Sequence, residues 1–160
     1  MKTYILIGII IVALAIGSFY ISQNLGEKIL DVHLEVSAPF STATLLVSSQ
    51  GTVNYEAEAP RMDIEKQVDS TKITEQQFNN LVDLITQNNF WSYDERYFED
   101  NLMDATTYTV TVKSVPTYQS ELADAKVYSV SCYGDCPKKI VEIINKIKEL
   151  WGKDILEVGV

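Results

Sequence analysis

Apolar Leu30, Val32, Leu34 and Val36 alternate with polar Asp31, His33 and Glu35, the period of two that marks a strand with one wet face. Two further runs, Thr42 to Ser48 and Thr52 to Glu58, flank Ser49-Gln50-Gly51. Glycine there supplies the positive φ of a tight hairpin, and Leu45, Val47, Val53 and Tyr55 would share its buried face. Ile64 to Val68 offers a fourth strand in a charged stretch. Farther on, Tyr108, Val110 and Val112 alternate with Thr107, Thr109 and Thr111, and Val127 to Cys132 reads as the partner of that strand.

Two stretches change period. Thr74 followed by Gln77 forms a capping box ahead of Phe78, Leu81, Val82 and Ile85 at helical spacing, and Asn88-Asn89 ends the run. Pro137 is placed for the first helical position before Ile140, Val141, Ile144, Ile147 and Trp151, and Gly152 is a natural stop. Between Phe90 and Asp104 the chain is aromatic, acidic and without period. The order of elements predicts an α+β domain: an antiparallel sheet of five to six strands with two helices packed on one face.

The N-terminus follows neither period. From Thr3 to Gly26 there is no charged residue, and at about 1.5 Å per residue the apolar run nearly spans a bilayer core of roughly 30 Å. The expectation is one N-terminal transmembrane helix, a signal-anchor carried by Tyr4, Ile10, Leu14, Phe19 and Ile21. Ala13-Leu14-Ala15 is a candidate cleavage site, but the run continues past it to aromatic residues suited to a membrane interface. Lys2 is the sole basic side chain on the N-terminal side, so the positive-inside rule leaves the N-terminus in the cytoplasm. Residues 1–26 are thus expected to be anchor and short joint, and residues 27–160 one extracytoplasmic domain at the cell membrane.

Charge narrows the partners. Setting Lys2 aside leaves 12 of the 13 basic residues against 22 acidic ones, a net charge of −10 on residues 27–160. Nucleic acid would be repelled, so none is expected. The nine tyrosines and two tryptophans are of the type that anchors a protein or glycan partner, or fills a core.

Candidate chemistry is sparse. Cys132 and Cys136 are the only cysteines, and an exported pair at a turn containing Gly134 reads most simply as a disulfide. Thiol-disulfide exchange is the enzymatic alternative, with Cys136 near a helix N-terminus, where a thiolate is stabilised. His33 is the lone histidine and lies on the wet side of its strand, so neither a zinc site nor a hydrolytic triad has its full set of residues. Asp94, Glu95, Glu99, Asp100 and Asp104 gather five carboxylates in one loop, hard oxygen ligands of the type calcium takes, without the spacing of an EF-hand. No cofactor is implied.

Several strings resemble the uncharacterised exported family called domain of unknown function 6438: Gly51-Thr52-Val53-Asn54-Tyr55, Ile73-Thr74-Glu75, Phe90 with Tyr97, and Asp104 leading to Thr106 and the threonine-rich strand. The family pattern carries a Cys-Pro string before the second strand, where this chain has Ala38-Pro39-Phe40; Cys136-Pro137 stands before the last helix instead. The resemblance implies a fold and an exported location, and no activity. The expectation is a non-enzymatic interaction module, with thiol-disulfide exchange and a calcium-stabilised surface module as alternatives.

Overall fold

The computed structural model of the chain describes residues 27–59, 64–99, 106–116 and 125–155. The chain divides into two compact units, residues 1–28 with 115–124, and residues 29–114 with 125–160. Of the first, the described residues are Glu27, Lys28, Val115 and Pro116, all extended at the ends of strands. The second unit holds all the other described residues.

Among the described residues seven strands form one sheet: β1 (Glu27–Ala38), β2 (Ser41–Ser48), β3 (Thr52–Ala59), β4 (Ile64–Lys72), β5 (Arg96–Phe98), β6 (Thr107–Pro116) and β7 (Lys126–Tyr133). Their order is β4-β3-β2-β1-β6-β7-β5. Two α-helices among the described residues, α1 (Glu75–Gln87) and α2 (Lys138–Trp151), pack with it in an α+β domain. The expected sheet was all antiparallel with at most six strands; it has seven, and β5 runs parallel to β7, pairing Arg96, Tyr97 and Phe98 with Ser131, Cys132 and Tyr133. A three-residue strand allows a single alternation, and only Tyr97 of the three packs toward the core, so period two has no length over which to declare itself. Backbone bonds fix its ends: Ser131 N–H donates to the Glu95 carbonyl at 2.9 Å, and Glu99 N–H to that of Tyr133 at 3.1 Å.

Register puts the apolar positions of adjacent strands on one face. Val32, Leu34 and Val36 lie opposite Val47, Leu45 and Ala43, which in turn face Val53, Tyr55 and Ala57. Val110 pairs with Val130 and Tyr108 with Cys132 on the same side. A shift of one residue in any strand would turn its whole apolar set to solvent, so burial itself fixes this register.

The helices supply the other half of the core. The capping box of α1 is present: the Thr74 hydroxyl accepts from Gln77 N–H at 3.2 Å, and Thr74 N–H donates to the Gln77 side chain at 2.8 Å. Phe78, Leu81 and Ile85 form its buried face. On α2 the buried residues are Ile140, Ile143, Ile144, Ile147, Leu150 and Trp151. Val141, expected in that stripe, is exposed; it sits about 100° around the helix from Ile140, whereas Ile143 and Ile144 return to the same side. Pro137 is the N-cap residue and Lys138 the first helical one, a single step from expectation. Trp151 closes the core by stacking on Tyr55 with ring centroids 4.9 Å apart.

Two glycines shape the connections. Gly51 ends the β2–β3 turn at φ 82°, and a Cβ there would stand 3.1 Å from the carbonyl oxygen of Ile73, whose N–H donates to the Gly51 carbonyl. Gly134, at φ 81°, turns the chain sharply after β7.

Candidate functional site

With both helices against one face, the alternate residues of the central strands form an open face. On β6 and β7 these are Thr107, Thr109, Thr111, Lys113, Val127, Ser129, Ser131 and Tyr133. Hydroxyls meet across the strands, Thr109 with Ser131 at 2.9 Å and Thr111 with Ser129 at 2.8 Å. A hydroxyl has one donor and two acceptor positions, so each pair keeps hydrogen-bonding capacity for a ligand.

Two shallow hollows lie side by side on this face. One, of about 290 Å³, is bordered by His33, Glu35, Thr44, Thr111, Lys113 and Val127; the other, of about 300 Å³, by Glu95, Arg96, Val127, Ser129 and Ser131. Val127 separates them with 61% of its surface exposed. At the β5 margin Phe98, 58% exposed, lies against Tyr133 at 6.2 Å between ring centroids. The surface therefore presents three apolar anchors, Val127, Phe98 and Tyr133, among hydroxyls and charges of both signs.

Beneath β5 and β7 an aromatic layer holds the margin in place. Phe90 is buried, Trp91 meets its edge at 5.7 Å and packs on Tyr128 at 4.7 Å, and Tyr93 contacts Tyr97. The Tyr97 hydroxyl accepts from Asp94 N–H at 3.1 Å. This loop carries the carboxylates that are the alternative, calcium-binding candidates. Asp94, Glu95 and Glu99 are exposed, while Asp100 and Asp104 lie outside the described residues. Among the described residues no three His, Cys, Asp or Glu side chains converge on a metal-binding point.

Cys132 and Cys136 stand at disulfide distance, their Cα atoms 5.2 Å apart, within the usual 4.4–6.8 Å window. Continuous strand would separate residues four apart by about 13 Å at roughly 3.3 Å per residue; the turn at Gly134 brings them back. Cys132 is buried on the covered face, and Cys136 is half-buried next to the Pro137 N-cap of α2.

Among the described residues the Asp69 carboxylate is clearly perturbed. Lys153 Nζ lies 2.6 Å from Asp69, and with the Ser70 N–H at 2.7 Å it holds the Asp69 carboxyl below the usual carboxylate range. The anchor residues Tyr4, Ile10, Leu14, Phe19 and Ile21 lie outside the described residues, and among the described ones no helix is long and apolar enough to cross a membrane.

Arg96, Phe98, Val127, Ser129 and Ser131 were not read as functional from the sequence. The signal that could have found the face is the run of hydroxyls at every second position from Thr107 to Thr111 and at Ser129 and Ser131.

The architecture defines a class: an α+β domain with helices on one face of its sheet and the other face uncovered by any helix or strand among the described residues. Residues 40–150 match the family described as domain of unknown function (DUF6438), and the chain belongs to that family. None of the curated proteins compared with the chain matches it. The matched stretch runs from the β1–β2 turn to the last turn of α2 and holds the β5–β7 half of the open face.

Proposed function

We propose that the chain is a membrane-anchored, extracytoplasmic interaction module that binds a protein partner through the open face of its sheet. The observation that carries this reading is the size and character of that face. Seven strands at about 4.8 Å spacing and roughly seven residues at about 3.3 Å each span some 650 Å², close to the ~800 Å² that each side contributes to a standard protein interface. The hollows are open to solvent, and exposed Val127 and Phe98 with half-buried Tyr133, set in a polar surround, have the composition of a recognition surface. The anchor rests on the uncharged run from Thr3 to Gly26, and the exported location on the cysteine pair at disulfide distance, since such bonds persist in oxidising compartments.

A photo-crosslinker placed at Val127 in the full chain, in intact cells, tests the partner. The expected result is a discrete adduct with one protein, repeated from Ser129 and absent from Glu142 on the exposed side of α2. Equal capture from Glu142, or no adduct at all, overturns the reading. Protease added outside the cells tests location separately: it should remove residues beyond 27, and full protection contradicts export.

Thiol-disulfide exchange is a second reading, favoured by the half-buried Cys136 at a helix N-terminus beside a buried Cys132. It predicts a Cys136 thiol that titrates well below the usual value near 8.5 after reduction. An unperturbed thiol removes it.

A further inference from the structure

At the margin opposite β5, strand β4 has one neighbour, β3, among the described residues, and its far edge carries no strand. Such an edge is a row of backbone donors and acceptors ready to pair with another chain unless something blunts it. β4 runs nine residues, Ile64–Lys72, longer than the usual five or six, and residues 66 to 70 are exposed on both faces. Its midpoint is Val68, the most exposed large hydrophobic residue among those described, at 69%.

Of the strand's four charged residues, the two that flank its midpoint are drawn away from the edge. Lys66 reaches back over the open face to Glu56 on β3 at 2.6 Å, and Asp69 reaches over the covered face to Lys153 beyond α2 at 2.6 Å. We infer that β4 is a self-association strand: two copies of this chain pair antiparallel along β4, about a two-fold axis at Val68, and join their sheets into one.

Register singles out this arrangement. An axis at Val68 uses all nine residues, sets Val68 against its copy, Gln67 against Asp69 and Lys66 against Ser70, with no like charges opposed at these positions. An axis at Lys66 or Asp69 would oppose like charges directly, which destabilises a cross-strand pair. An axis at Gln67 would place Val68 against Lys66, and one at Ser70 would place it against Lys72 and shorten the overlap. A two-fold interface must be complementary to itself, and the Val68 axis is the register of these that is.

Cysteine crosslinking of the full chain tests the inference. Opposed residues of an antiparallel pair have Cα atoms about 4.5–5.5 Å apart, inside the disulfide range, so Val68→Cys should form a covalent dimer under mild oxidation. The rate should exceed that of Asn79→Cys, on the exposed side of α1, by on the order of tenfold or more, because paired thiols are held at high effective concentration. The unsubstituted chain controls for Cys132 and Cys136. Val68→Lys, an exposed change that leaves the fold intact, sets like charges on the axis and should turn a dimeric chain monomeric in detergent. Equal crosslinking from positions 68 and 79, faster self-crosslinking from Gln67→Cys than from Val68→Cys, or a dimer that survives Val68→Lys overturns the proposal.

Discussion

The two faces of one sheet are built from alternate residues of the same strands and have opposite fates. On β6, Val110 and Val112 are fully buried under the helices while Thr109 and Thr111, one position away, keep hydroxyls on the open side. The covered face is apolar throughout its centre and shared by Val, Leu, Ala, Tyr and Cys side chains in one cluster with both helices. The open face has paired hydroxyls, scattered charges and a few exposed apolar side chains. On the proposed reading the difference separates stability from recognition: substitutions on the first face should destabilise the domain, and substitutions on the second should leave it folded and weaken partner binding.

The largest expected effect breaks the covered face. Ile144, 4% exposed, changed to alanine should destabilise by about 2–5 kcal/mol, measured by urea denaturation, and a loss of under about 0.5 kcal/mol would remove Ile144 from the core. Next is the cysteine pair, which ties the covered side of β7 to the start of α2. In the chain-entropy account a bridge closing so short a loop contributes about 2 kcal/mol, so reduction should lower the melting temperature and leave the domain folded; complete unfolding on reduction would contradict a core that holds by itself. Val127→Lys, on the open face, should change stability by no more than about 0.5 kcal/mol and abolish the adduct captured from Ser129.

The smallest effect lies where the covered face runs out. Asp69 is exposed to solvent, so its pairing with Lys153 is worth little, but its sign is fixed. Its folded value is depressed, so the stabilisation is present above the unfolded carboxylate value near 3.9 and is lost as pH falls through the lower folded value. Asp69→Asn should therefore lower the melting temperature slightly at neutral pH, and the difference from the unsubstituted chain should vanish as pH falls well below about 4.

How far the sequence alone reached follows the same division. The covered face was legible because burial imposes a period: Leu34, Val47, Val110, Phe78, Leu81, Ile140 and Ile147 repeat at strand or helix spacing, and each is buried. Thr74 with Gln77 also spoke plainly, since a capping box is a local arrangement that needs no tertiary contact. β5 did not, because three residues held by parallel pairing to β7 and by the aromatic layer of Phe90, Trp91 and Tyr97 depend on neighbours distant in sequence. The open face was illegible for a related reason. It is defined by what the helices leave uncovered, and hydroxyls that pair across strands look like ordinary solvent-facing positions in one dimension.

Thiol labelling of the full chain in its native membranes tests the central claim most directly, that the open face is occupied by a partner while the outer side of α2 is bare. Single cysteines at Thr111, Val127 and Glu142 are reacted with a maleimide before and after the protein is purified away from other membrane components. The account predicts that Thr111→Cys and Val127→Cys react slowly in membranes and quickly once purified, with Glu142→Cys reacting quickly in both. Fast and equal labelling of all three positions in native membranes would contradict it.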